Sequence, residues 1–120
     1  IKDLSEKCGR EAALQIMEMH PMPDAAFITN DFSAAVCIKT LKEHGYSIPE
    51  DIAIVGFNND AISKIVEPQL TTIDYPGIDI GEIAARNLIG HLKGDIKITQ
   101  TNTIIVKSEL IIRKSSLRKG

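Results

Sequence analysis

These 120 residues predict an α/β domain, a parallel sheet with flanking helices. Three observations carry that prediction. Two short, uninterrupted apolar runs, at 25–29 and 52–57, have the pattern of strands covered on both faces. An amphipathic helical stretch lies between them, as a βαβ unit requires. Both runs end in polar residues, Thr29-Asn30-Asp31 and Asn58-Asn59-Asp60, at the strand ends where open α/β sheets bind ligands.

Asp3 or Ser5 can cap a first helix, in which Leu4, Cys8, Ala12 and Ile16 recur every four residues with Ala13 and Met17 beside them. Pro21 and Pro23 end it, since proline cannot continue a helix and restricts the residue before it. After the first strand, Asn30 and Asp31 are both good N-caps for a second helix. That helix runs through Ala35, Val36, Ile38 and Leu41 to Gly45, a natural stop. Ile48-Pro49-Glu50-Asp51 turns the chain into the second strand. A third strand, Leu70-Thr71-Thr72-Ile73-Asp74, is entered through Pro68 and left through Tyr75-Pro76-Gly77. A further helix places Ile80, Ala84, Leu88 and Leu92 on one face, with Ile83 alongside, and Gly94 stops it. Two edge strands close the chain, Thr103-Ile104-Ile105-Val106 and Glu109-Leu110-Ile111-Ile112.

The composition, 43% hydrophobic and 25% charged, is that of a soluble globular domain and excludes a disordered tail. A net charge of −2 argues against a free-standing nucleic-acid binder. The charge is uneven: residues from Lys107 onward carry +4, which leaves −6 for residues 1–106. A basic end of this kind contacts nucleic acid or is simply a solvated terminus; Ser115, Ser116 and Gly120 beside it favour the second. No apolar run approaches the roughly 20 residues of a membrane helix, and no signal peptide opens the sequence, so no membrane partner is expected. The first residue is Ile1 rather than Met, which suggests a piece of a longer protein.

Cys8 and Cys37 are the only cysteines, and His20, His44 and His91 are scattered, so neither a disulfide framework nor a metal site is expected. Two buried, reduced thiols in a cytoplasmic protein fit better. No Gly-x-Ser-x-Gly elbow, His-Glu-x-x-His helix, P-loop or Gly-x-Gly-x-x-Gly turn is present. Asp31 and Asp60 could form an acid/base pair, but nothing near them supplies a nucleophile, a metal ligand or an oxyanion donor. The expectation is therefore no catalytic residues, no cofactor and no enzyme. The Asn and Asp residues at the strand ends serve a ligand, or else only local turns and caps. Any sugar-stacking surface would depend on Phe32, Phe57 or Tyr75.

Four motifs in order resemble the LacI/GalR (lactose and galactose repressor) family of transcription regulators. Pro23-Asp24-Ala25-Ala26-Phe27-Ile28-Thr29-Asn30-Asp31 is similar to its "PDA-F--ND" segment, and Ile48-Pro49-Glu50-Asp51-Ile52-Ala53-Ile54-Val55-Gly56-Phe57 to "VPEDIAVVGF". Pro68-Gln69-Leu70-Thr71-Thr72-Ile73 resembles "P-LTTI", and Glu109-Leu110-Ile111-Ile112-Arg113-Lys114-Ser115-Ser116 the closing "ELI-R-SS". The resemblance implies a type I periplasmic-binding-protein-like fold, present here as an incomplete subdomain. Residues 1–74 would be the C-terminal subdomain of the effector-binding domain, and 75–106 the crossover and a helix of the N-terminal subdomain. Residues 107–120 would be the return strand and tail.

In that family two subdomains close on a small-molecule effector, and a separate N-terminal helix-turn-helix domain binds operator DNA as a dimer. The resemblance thus implies a cytoplasmic regulator fragment with a carbohydrate effector, an operator reached through the missing domain, and a homodimer. A periplasmic sugar receptor of the same fold and an α/β enzyme fragment are the alternatives. By position, Asn30 matches an asparagine that reaches the effector, and Asp31 its neighbour, expected to be mainly a helix cap. Asn58 falls where many members carry an aspartate that accepts hydrogen bonds from the effector. An amide there offers both donors and an acceptor, which suits a sugar hydroxyl better than a cation. Tyr75 matches an effector-side residue at the crossover, where it stacks, hydrogen-bonds or packs half-buried. The family's self-association surface implies a dimer interface of Ala35, Ile38 and Lys39 on the second helix, with Ile62, Ile65 and Val66 in the loop after the second strand.

Overall fold

The computed structural model describes residues 5–97 and 103–118. Asp3 and Leu4 at the head of the first helix, and Lys119 and Gly120 in the basic tail, lie outside the described residues. The chain divides into two compact units, one of residues up to Asp74 together with those from Glu109, the other Tyr75–Ser108. In chain order the elements are α1 (Glu6–Glu18), β1 (Ala25–Phe27), α2 (Asp31–Glu43), β2 (Ala53–Phe57), α3 (Ile62–Ile65), β3 (Thr71–Asp74), α4 (Gly77–Leu92), β4 (Glu109–Ile111) and a 3-10 turn at Lys114–Ser116.

The first unit holds a four-stranded sheet in the order β1-β2-β3-β4. The first three strands are parallel, with Phe27 opposite Val55 and Phe57 opposite Ile73. β4 runs antiparallel to β3, with Asp74 opposite Glu109, so the sheet is mixed. The amphipathic stretch between the first two runs is α2, the expected crossover. Ser5 caps α1 by accepting from the Cys8 amide, and Asn30 caps α2 by accepting from the Ser33 amide at 3.1 Å. Gly45, at φ +89°, follows the end of α2 in the left-handed conformation.

Ile38 and Leu41 of α2 pack with Ile52, Ile54 and Leu70, all fully buried, and Ala13 and Ile16 of α1 extend this core. Each buried Ile or Leu side chain contributes roughly 1.5–3 kcal/mol relative to exposure. Gly9 lets α1 approach α2 closely, because a Cβ there would stand 2.7 Å from the Ser33 carbonyl oxygen. Cys8 and Cys37 are buried free thiols, as expected.

Several expectations are corrected. β1 is an edge strand, and Phe27 is 55% exposed, so it is not covered on both faces. β2 alternates: Ile54 and Gly56 are buried, while Ala53, Val55 and Phe57 are only partly so. An unbroken apolar run therefore marks a strand with one well-covered face here. Residues 103–106 form no strand and have no ladder partner among the described residues. Residues 62–65, expected as a loop, form the short helix α3.

In the second unit, α4 has the predicted extent and is followed by Gly94 at φ +83°. None of its residues is buried; Ile78 and Leu92 are mostly exposed, and Ile80 and Leu88 about half. No described helix is long and apolar enough to cross a membrane.

Candidate ligand-binding site

The parallel register sets the carboxyl ends of three strands side by side. The pairing of β1 with β2 ends at Phe27 and Val55 and that of β2 with β3 at Phe57 and Ile73, so Asn30, Asn58 and Asp74 lie at or just beyond the carboxyl ends of neighbouring strands. A hydrogen bond from the Asp60 amide to Asp31 Oδ2, 2.8 Å, joins the first two strand ends, and the Asn58 amide donates to the Ile73 carbonyl at 3.0 Å. The segment Asn30-Asp31 and the loop Asn58-Asn59-Asp60 are thus tied together at the carboxyl end of the sheet.

Their roles differ from those expected. Asn30, not Asp31, is the helix cap, and this use of Oδ1 leaves both amide hydrogens and one lone pair of the oxygen. Asp31 is fully buried, so it is neither a cap nor an exposed ligand contact. Its Oδ1 accepts from the Thr72 hydroxyl at 2.6 Å, and its Oδ2 from the Asp60 amide. Burial pushes the Asp31 carboxyl above the ordinary carboxylate range, against the opposing pull of the Thr72 and Asp60 hydrogen bonds. The Asp31 and Asp60 side chains do not form an acid/base pair facing solvent, since only Asp60 is exposed.

Asn58 and Asn59 both take positive φ, 117° and 56°, a region in which asparagine is enriched among non-glycine residues. This pair turns the chain sharply off β2. Asn58 is half-buried, and its Nδ2 donates to Asp60 Oδ2 at 3.3 Å, which leaves its carbonyl oxygen and a second N–H for a ligand. Asn30 and Asn58 together present donors and an acceptor without net charge, chemistry suited to hydroxyl groups.

Composition and spacing did not single out the residues that hold this loop. The Asn59 amide group donates to Asp74 Oδ2 at 3.1 Å and accepts from Arg113 Nη2 at 2.7 Å, and its backbone N–H donates to Thr72 Oγ1 at 3.3 Å. Arg113 also donates to the Leu70 carbonyl at 2.8 Å and to Ser63 Oγ at 3.0 Å. One available signal was an arginine directly closing the apolar run at 110–112.

Tyr75 belongs to the second unit, is 39% exposed, and has its ring near Gly77. Of the aromatic candidates, Phe57 meets Phe27 edge-on at 6.4 Å, and Phe32 lines a different feature altogether. That feature is an apolar groove of about 540 Å³ between α2 and α3. Ala35, Ile38, Lys39, Ile62, Ile65 and Val66 all border it. Ile65 is 75% exposed, whereas Ile38 is fully buried and belongs to the core; it is a floor beneath the groove and not an exposed contact. Val66 and Ile62 are half-buried, so the segment turns partly inward. Among the described residues, no group of three or more His, Cys, Asp or Glu is placed to hold a metal.

The model for the periplasmic binding protein-like domain matches residues 3–116. The chain is 36% identical over 102 residues to the NTD biosynthesis operon regulator NtdR of Bacillus subtilis strain 168, covering 85% of this chain and 31% of NtdR. It is 31% identical over 114 residues to the HTH-type transcriptional repressor CytR of Escherichia coli strain K12, covering 95% of this chain and 33% of CytR. It therefore spans about a third of the length of these relatives. The structure of the transcriptional regulator CelR in complex with cellobiose superposes with a TM-score of 0.80 at 25% identity, over 94% of this chain and 34% of that one.

Proposed function

The chain belongs to the periplasmic binding protein-like domain family, among its LacI-type regulators, and from that premise we propose that it is the effector-sensing part of a transcription regulator. The observation that carries the proposal is that Asn30 and Asn58 follow adjacent parallel strands at their carboxyl ends, neutral amides that match a carbohydrate's hydroxyls. A sugar-bound relative of the same fold supports this chemical class. In this reading the first unit is the C-terminal subdomain of the effector domain, and residues 75–106 are the crossover and a helix of the N-terminal one. Tyr75 enters as an effector contact through the family pattern alone. Asp31 acts indirectly, by holding the strand ends.

The whole protein is proposed as a cytoplasmic, non-enzymatic homodimer that binds operator DNA through a separate helix-turn-helix domain. Effector occupancy would shift its two-state equilibrium and so its operator affinity. Calorimetric titration of the full-length protein with cellobiose, sucrose, galactose and cytidine tests this, together with retention of DNA from upstream of its own gene. Binding that is lost in Asn58→Gly, which tolerates the φ of 117°, and that changes DNA retention supports the proposal. Turnover of the bound compound, or binding indifferent to Asn58, overturns it.

A further inference from the structure

Asn59 stands next to the proposed effector contact, yet its side chain is committed inward. It is the one residue of the strand-end loop whose amide is used at both ends: Nδ2 to Asp74, Oδ1 to Arg113. These two partners have a topological meaning. Asp74 is the last residue of β3, after which the chain leaves for the second unit, and Arg113 lies just past β4, by which the chain has come back. β3 and β4 pair antiparallel at this point, Asp74 opposite Glu109. The Asn59 backbone adds a third tie, to Thr72, whose hydroxyl in turn donates to the buried Asp31.

We infer that Asn59 is a positioning residue: it fixes how Asn58 is presented to a ligand and links that presentation to both strands through which the chain passes into and out of its second unit. The inference rests on the effector reading of Asn58 for its functional half; its structural half stands without it. An asparagine is required for two reasons. Its left-handed φ of 56° is tolerated by few side chains, and its amide offers from one planar group the donor that Asp74 needs and the acceptor that Arg113 needs, which neither a carboxylate nor a cationic side chain can do. Arg113 is bound to three separate acceptors, so it acts as a fixed post rather than a mobile surface charge.

The test uses the full-length protein with Asn59→Gly, which permits the left-handed backbone conformation and removes the side chain with its amide group. A second set is Asn59→Asp, Asp74→Asn and their combination, in which the amide and carboxylate exchange places. Hydrogen exchange should quicken in Asn59→Gly at 58–60 and also at 72–74 and 109–113, while Asn58→Gly quickens it at the loop alone. Asn59→Asp should weaken uptake of whichever of cellobiose, sucrose, galactose or cytidine the parent binds by about tenfold, equivalent to ~1.4 kcal/mol, and adding Asp74→Asn should restore it. Exchange confined to the loop, or no restoration in the double variant, overturns the inference. If Asn58→Gly leaves sugar binding intact, or no compound on the panel binds, the effector reading fails, and the exchange pattern still decides the link from Asn59 to the two strands.

Discussion

The Asp31 carboxylate and the Thr72 hydroxyl, 2.6 Å apart, are hydrogen-bonded across an intervening strand. Asp31 follows β1, Thr72 lies in β3, and β2 runs between them. The bond is possible because Gly56 of β2 has no side chain where it passes: a Cβ there would strike Asp31 Oδ1 and stand 2.7 Å from Leu70 Cδ2. Gly56→Ala must therefore displace the carboxylate or Leu70, which is fully buried. Overpacking of this kind costs roughly 1–3 kcal/mol, and loss of the bond to Thr72 adds to it. Urea unfolding should show a lower midpoint with an unchanged slope; an unaltered midpoint would mean the two groups yield freely.

Asp31 itself supports a prediction about pH. Asn in its place has a single acceptor, so either the Asp60 amide or the Thr72 hydroxyl loses its partner, at a cost of about 1–3 kcal/mol. Burial raises the folded-state pKa above the ordinary 3.8, so within that window the folded state holds more protons than the unfolded one. The stability Asp31 contributes is then fully present below 3.8 and declines as pH rises through the raised value. The difference in unfolding free energy between the parent and Asp31→Asn should narrow with rising pH across this interval. A difference that widens would contradict the raised pKa.

Cys37 is fully buried in the core, and burial pushes its thiol up to about 11. Little thiolate is present near neutrality, and the reagent has no access to what there is. In the native protein Cys37 should resist Ellman's reagent at slightly alkaline pH and react at the rate of opening in urea. Rapid reaction of Cys37 in the native state would contradict its place in the core.

The βαβ unit, the three parallel strands and α1, α2 and α4 were legible because apolar periodicity, caps and proline stops all act locally. The strand-end location of the site was legible for the same reason, since Asn30 and Asn58 close their apolar runs. What could not be read was set by tertiary neighbours. Which of Asn30 and Asp31 caps α2 depends on Thr72 and the Asp60 amide, 41 and 29 residues away from Asp31. Arg113 looked like one charge of a basic tail, and only the pairing of β4 with β3 brings it to Asn59. Residues 103–106 had strand composition but no partner among the described residues, and β propensity without a partner does not make a strand.

The groove between α2 and α3 separates two residues that the sequence placed in one proposed dimer interface. Ile65 is mostly exposed beside Lys39 and Lys42, whereas Ile38 is sealed in the core beneath. Ile65→Glu should therefore leave the fold's thermal midpoint nearly unchanged, because the new carboxylate stays in water in the monomer. In a dimer closed over this groove the same carboxylate would be buried without a designed partner. An unpaired buried charge costs several kcal/mol, so the dimer dissociation constant should rise by roughly a hundredfold or more. Ile38→Ala should do the opposite, lowering the unfolding midpoint by a cavity cost of about 2–5 kcal/mol while self-association at low temperature persists. Sedimentation velocity of the full-length protein, with thermal melts of both variants, reads the two effects apart. Dimers that survive Ile65→Glu would place the self-association surface elsewhere.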